Sequence, residues 1–447
     1  MRRRIRNPIT VTLGLVAAST LLAACSGGAA SGDGELVVLV GAQDEKAAEQ
    51  KLWFSKLQKE FKAETGATLT FETFSSAEEE QKKIQTGVIS GTGPDVFMLG
   101  TTFTPVAQAT GGFLELTDQD WQKIGGRQQF SPEALAMSGT DPNHEIGVPF
   151  SMRPYALAYN TELFEKAGID GPPKTWDELL ADAKKLTSQS DGVYGLSIDY
   201  ADEYNPWKYI WTLTQQSGGS FVSDDMQQAQ LDSAEVVKAT QDYFDLLTEH
   251  EVVDPASAGW ENDQAVSAFA SGKAAMLPMI APSIIPTLEE SAVKDSYAVA
   301  PMPLVPFGME QRPPGGVAAG TIVSGDNAAI AEYTDEKDLA LKYLEMVTSQ
   351  EKQLLYARLF GDVPANQAAE KIYAQRTPAA TPFVKANELA VPTTYTGAWA
   401  DVQLGLTNVM TQSQPDLAAG DYDPAKVEQL LREANTMVQS SLARQKQ

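Results

Sequence analysis

Glu35-Leu-Val-Val-Leu-Val40, Leu69-Thr-Phe-Glu-Thr-Phe74 and Val96-Phe-Met-Leu99 are three short apolar runs, and the two patterns between them decide the fold. The first run is continuous and β-branched, the signature of a strand buried on both faces of a parallel sheet. The second alternates with period two, as a strand does. Between them Trp53, Phe54, Leu57 and Phe61 fall on one helical stripe that stops near Gly66. The stretch Ala77 to Ser90 is helical with charges on one side, and Gly91-Thr-Gly-Pro-Asp95 turns the chain into the third run. Strand, helix, strand, helix, strand at short intervals predicts a doubly wound α/β domain.

The pattern recurs downstream. Tyr155 to Tyr159 reads as a strand, Asn160-Thr161 caps a helix ending at Gly168, and Thr175 is the N-cap of a helix with Asp177 and Glu178 in its first turn. Gly195 to Ile198 and Lys273 to Leu277 read as strands. Trp207–Gln216, Glu235–His250, Asp263–Ser271 and the stretch Asp335 to Phe360 read as helical, and the C-terminal third is helical between prolines. No internal repeat or heptad array is present.

Upstream of this body stand Arg2, Arg3, Arg4 and Arg6, an apolar stretch from Ile9 to Leu22, and Leu22-Ala-Ala-Cys25. A basic start, a short apolar core and small residues before a cut site describe a secretory signal. The apolar run is too short for a membrane span. Cys25 is the only cysteine among 447 residues, and its thiolate can take a thioether-linked lipid. The segment resembles a bacterial lipoprotein signal, so residues 1–25 are expected to end at a lipidated Cys25, with 26–34 as a flexible tether. The expected location is extracytoplasmic, attached to the cell membrane through that lipid alone.

Composition excludes several classes. A formal charge of −25 opposes nucleic acid, whose phosphates need clustered Lys and Arg. His144 and His250 are the only histidines, so no Cys/His metal cluster and no obvious histidine-based triad can be assembled. Phosphate-cradling and dinucleotide loops are absent. Paired carboxylates for glycoside cleavage stay open in so acidic a chain, though no motif isolates a pair. No cofactor, metal or catalytic residue is expected; the protein is read as a monomer, and it is not read as an enzyme.

Several blocks in colinear order carry a resemblance: Phe61-Lys-Ala-Glu-Thr-Gly66, Ser90-Gly-Thr-Gly-Pro-Asp-Val-Phe97, Val148-Pro-Phe150, Ala158-Tyr-Asn160, Pro173-Lys-Thr-Trp-Asp-Glu-Leu179, Ala268-Phe-Ala-Ser-Gly-Lys-Ala-Ala-Met276, and Leu344 to Pro364. Together they resemble the extracellular solute-binding proteins of bacterial ABC importers, in the carbohydrate-binding family that includes maltose-binding protein. The resemblance implies a type II periplasmic-binding-protein fold of two α/β lobes around a ligand cleft. It places lobe 1 at 35–150 plus 298–358 and lobe 2 at 151–297 plus 359–447, with crossings near Val148–Pro154, Tyr297–Pro303 and Phe360–Pro364. It also implies a sugar, an oligosaccharide or glycoside, as ligand and the importer's permease subunits as partners.

Sugar hydroxyls need charged or amide partners, and sugar C–H faces pack on aromatic rings. Asp202-Glu-Tyr-Asn-Pro-Trp207 mixes both and precedes a helix; Asp202, Glu203, Tyr204 and Trp207 are candidate contacts, or else the loop is a capped helix start with a buried Trp. Trp399 resembles the family's C-terminal stacking tryptophan, and Gln403 lies one turn on. Trp260 sits in a loop before a helix and can stack or pack. Arg153 follows a crossing, where a guanidinium forks onto hydroxyls or serves as a hinge strut. Gln43 and Asp44 follow the first strand, Glu72 matches an acidic ligand contact, and Gly315-Gly316 allows close backbone approach or makes a turn. Two departures from the family, at Met279-Ile-Ala-Pro-Ser283 and at Thr101-Thr102, detach the ligand from maltodextrin. Three alternatives stand beside the sugar. A polyamine would pair with Asp202 and Glu203. A metal chelate or glycerophosphodiester is the second, and an extracytoplasmic glycoside-processing enzyme the third.

Overall fold

The computed structural model describes residues 34–43, 46–203 and 205–445, apart from the side chains of residues 77 and 78. The signal segment, the tether through residue 33, and the candidates Cys25, Asp44 and Tyr204 lie outside the described residues. Among the described residues twelve strands follow in chain order: β1 (Glu35–Gly41), β2 (Thr68–Phe74), β3 (Val96–Gly100), β4 (Gly147–Met152), β5 (Ala156–Asn160), β6 (Tyr194–Leu196), β7 (Ala274–Ile280), β8 (Tyr297–Ala300), β9 (Thr321–Ile322), β10 (Gly325–Ile330), β11 (Val363–Pro364) and β12 (Ala390–Val391).

They build two sheets and a small ribbon. The six-stranded sheet has the order β11-β4-β10-β3-β1-β2, the four-stranded one β6-β7-β5-β8, and β12 pairs with β9 alone. β1 runs parallel to β2 and β3, while β10 is antiparallel to both β3 and β4. The apolar β1 run is buried because helices cover both sheet faces. One of these is the helix Ala47–Thr65, which buries Trp53, Leu57 and Phe61 and ends where Gly66 takes φ 78°. Ser76 starts the helix Ala77–Ser90 by accepting from the Glu79 amide.

The Gly91–Asp95 turn is a scaffold element. Asp95 accepts from Val37 N at 2.8 Å and from Thr334 Oγ1 at 2.6 Å, stitching β1 to the segment after β10. Around the smaller sheet, Trp176, Trp207, Trp211, Tyr200, Tyr209, Tyr243 and Trp399 form one aromatic-rich core.

The chain passes between the sheets at Arg153–Tyr155, between β9 and β10, and around β12. These passages are tied together: Arg153 N donates to Ser324 O, Tyr155 N to Thr321 Oγ1, and Val323 N to Val391 O. Two expected crossings are therefore corrected. β8 pairs with β5, and Gln216 Nε2 donates to the carbonyls of Pro303 and Ala319. Residues 297–319 thus stay with the smaller sheet instead of crossing at Tyr297–Pro303. β11 pairs with β4 and the helix Gln367–Arg376 packs beside it, so Phe360–Pro364 belongs to the larger sheet. The expected boundary at 358 falls inside the helix Gln350–Phe360.

Candidate functional site

At the C-terminal ends of β1, β2, β3 and β4 a cavity of about 560 Å³ opens, closed on its far side by Ser283 and Thr287 from the segment after β7. Strand C-termini in open α/β sheets leave such a crevice because the connections diverge there. Its floor is ionic. Arg153 Nε lies 2.9 Å from Asp362 Oδ2, and both terminal nitrogens of the same guanidinium donate to Asp326. The aspartates belong to different passages of the chain, one opening β10 and one following the helix Gln350–Phe360. Burial opposes the charge on Arg153, but Asp326 and Asp362 outweigh it and hold the guanidinium protonated. Asp362 is pushed up by burial, with Arg153 drawing it back.

The walls are aromatic. Trp53, Phe54, Phe74, Phe150, Tyr356 and Phe360 line the cavity. Tyr356 meets Phe150 edge-on at 4.6 Å and Trp53 at 5.3 Å. Phe54 and Phe74 are only half-buried, which leaves apolar ring area facing the space. Gln50 pins the loop after β1: its Nε2 donates to Gly41 O at 2.8 Å, and its Oε1 accepts from Gln43 N. Charged floor and aromatic wall together suit a polar ligand with apolar faces.

The structure brings Gln43 and Arg153 to this cavity. The other described candidates fall elsewhere, each for a physical reason. Trp399 is fully buried, edge-on to Trp207 at 5.9 Å and stacked on Phe221 at 6.3 Å. Both tryptophans are thus core of the smaller-sheet half in this arrangement, and Gln403 one turn on from Trp399 is half-buried outside the cavity lining. Asp202 accepts from Asn205 N at 2.9 Å, shaping the helix start, while Glu203 is exposed. Trp260 lines a separate shallow groove of about 340 Å³ with Tyr194, Asp254 and Lys273. Glu72 is ion-paired to Lys83 at 3.3 Å on the outer side of β2. Gly315 and Gly316 form an exposed turn packed on another loop; a Cβ on Gly316 would sit 2.3 Å from Gln216 O.

Sequence reasoning missed Trp53, Phe54, Phe74, Asp326, Tyr356 and Asp362 as cavity residues. Asp326 and Asp362 carried a signal, since each sits beside a glycine next to a strand (Gly325-Asp326, Gly361-Asp362). The aromatic residues carried none, because core and cavity positions share one helical stripe. A second network flanks the Arg153–Tyr155 passage: Lys208 Nζ donates to Asn205 Oδ1 at 2.8 Å and sits 4.4 Å from the Tyr155 ring. Asn205 and Asn262 both donate to Asp199, whose carboxyl is pushed up to about 6 chiefly by burial. Among the described residues no group of three or more His, Cys, Asp or Glu is arranged to hold a metal, and no helix is long and apolar enough to cross a membrane.

Comparison with known proteins places this geometry in a family. A putative binding protein of Brucella abortus is 27% identical over 373 residues, covering 80% of this chain and 82% of its own. The diacetylchitobiose binding protein DasA of Streptomyces coelicolor is 25% identical over 387 residues, covering 82% and 84%. Among solved structures, an ABC transporter solute-binding protein of Thermotoga lettingae bound with α-D-tagatose superposes with a TM-score of 0.73 at 22% identity, over 92% of this chain and 100% of that one. The fold is accordingly the type II periplasmic-binding-protein architecture, and the protein binds rather than catalyses. The model of the bacterial extracellular solute-binding proteins matches residues 46–354, and the chain belongs to that family.

Proposed function

We propose that this protein captures a sugar, an oligosaccharide or glycoside, in the cavity between its two sheet-centred lobes and delivers it to the permease of an ABC importer. The observation that carries this reading is the cavity lining, with Arg153 forked between Asp326 and Asp362 beneath half-buried Phe54 and Phe74. Charged groups meet hydroxyls and rings meet C–H faces. The diacetylchitobiose-binding relative supports the ligand class. In this reading one lobe is the larger sheet with its helices through residue 376, and the other is the smaller sheet with the two C-terminal helices. A ligand touching both lobes favours the closed arrangement over the open one. Cys25, lipidated, tethers the lobes to the membrane through residues 26–34.

The test is a thermal-shift panel on the protein lacking residues 1–25, using mono-, di- and oligosaccharides with spermidine and glycerophosphocholine as controls. A ligand at a hundred times its Kd adds about 2.7 kcal/mol, a readable shift. A sugar hit supports the reading. A shift from spermidine or glycerophosphocholine alone overturns the ligand class, and release of reducing sugar from an oligosaccharide overturns the assignment as a binder.

A further inference from the structure

We propose that Glu80 is a specificity-determining contact of this cavity, its carboxyl group reserved for an oxygen of an uncharged, hydroxyl-rich ligand. The proposal rests on reading the cavity as the solute site. Glu80 stands in the first turn of the helix Ala77–Ser90, where its amide donates to Ser76 O and its side chain lines the cavity. It is 7% exposed, and Oε1 is buried with no hydrogen-bond partner among the described residues. Buried polar groups are almost always paired, so an unpaired oxygen on a side chain that lines a binding cavity points to a partner that arrives with the ligand. The neighbouring carboxylates differ, because Asp326 and Asp362 share Arg153.

The charged groups around Glu80 decide which form it takes. Across the cavity stand Asp326 on β10, Arg153 after β4 and Asp362 beyond the helix Gln350–Phe360, and Lys46 lines the cavity before the helix Ala47–Thr65. On its own helix, Glu79 is engaged with Ser75 and Lys83 with Glu72. Arg153 is committed to two aspartates, so an ionised Glu80 would add a third negative charge to the same cavity. Burial and the Asp326 charge push its carboxyl up to about 8. A neutral carboxyl offers one O–H donor and an accepting oxygen. That pair matches a sugar hydroxyl or ring oxygen and gives no electrostatic preference to an ammonium or a carboxylate.

The experiment is calorimetric titration of the sugar found in the panel into wild type, Glu80→Gln and Glu80→Ala between pH 6 and 9.5, with melting curves confirming that each variant is folded. At pH 6.5 Glu80→Ala is expected to bind about tenfold or more weakly, and Glu80→Gln, which keeps a donor, within about threefold of wild type. If the protonated form binds, wild-type affinity falls by about tenfold per pH unit above its pKa, while Glu80→Gln stays flat. Equal affinity of wild type and Glu80→Ala overturns this assignment and leaves the solute site standing. Affinity that rises with pH overturns it too, since the carboxylate would then be the binding form. Failure of folded wild type to bind any sugar defeats the reading of the cavity itself, and this assignment with it.

Discussion

Trp399 and Trp53 show how a residue's role follows from its surroundings. Both are large aromatics on helices, and nothing in the local sequence separates them. Trp399 is enclosed by Trp207 and Phe221, whereas Trp53 packs on Tyr356 and Phe150 at the edge of the cavity. Replacing Trp399 with Ala should therefore cost about 3–5 kcal/mol of stability through the cavity left behind. Ligand affinity, measured where the variant is folded, should change far less. A large loss of affinity with unchanged stability would return Trp399 to the binding surface. Arg153 illustrates the opposite case: its position after a crossing pointed to either a fork or a strut, and it both pairs with Asp326 and Asp362 and lines the cavity.

Helix boundaries were legible because caps are local chemistry. Asn160 accepts from the amides of Glu162 and Leu163, and Thr175 forms a capping box with Glu178; both starts were readable from those residues alone. The helical stretch Asp335 to Phe360 is two helices, divided at Ser349, which caps the second by accepting from Lys352 N. Its end carries more than a stop signal. Gly361 adopts φ 91°, and a Cβ there would lie 2.8 Å from Ser283 Cα in the segment after β7. Gly361→Ala should destabilise by about 1 kcal/mol or more, since alanine resists positive φ, and should also weaken ligand binding by pushing the Ser283 segment away. Denaturant midpoints and a titration with the same sugar check both effects. Lost stability with unaltered affinity would mean that this contact does not govern closure.

Across the whole molecule, seven carboxyls among the described residues are raised chiefly by burial: Glu145, Asp182, Asp242 and Asp362, together with Asp199 to about 6, Glu370 to about 7 and Glu80 to about 8. Carboxyls in the unfolded chain titrate near 4, so the native state holds more protons between roughly pH 4 and 8. Their stabilisation is complete below the unfolded value and is lost as pH rises through the folded values. The melting temperature should thus be higher near pH 5 than at pH 8.5, and Glu80→Gln should remove part of the slope; a melting temperature that climbs over this window would contradict the assignment. The same scale separates what the chain announced from what it concealed. Apolar periodicity, caps and glycine stops determined β1, β2, β3, β5, β6 and β7, the main helices and the α/β class, because those preferences act within a few residues; β4, β8 and the strands from β9 on carried no such local signal. The colinear blocks carried the resemblance in fold. Only the tertiary structure decided where residues 297–319 and 360–376 belong and which side chains face the cavity, since Arg153, Asp326 and Asp362 meet across separations of 173 and 209 residues. Burial and charge pairing at that range depend on how the two sheets are set against each other, and no local pattern encodes that.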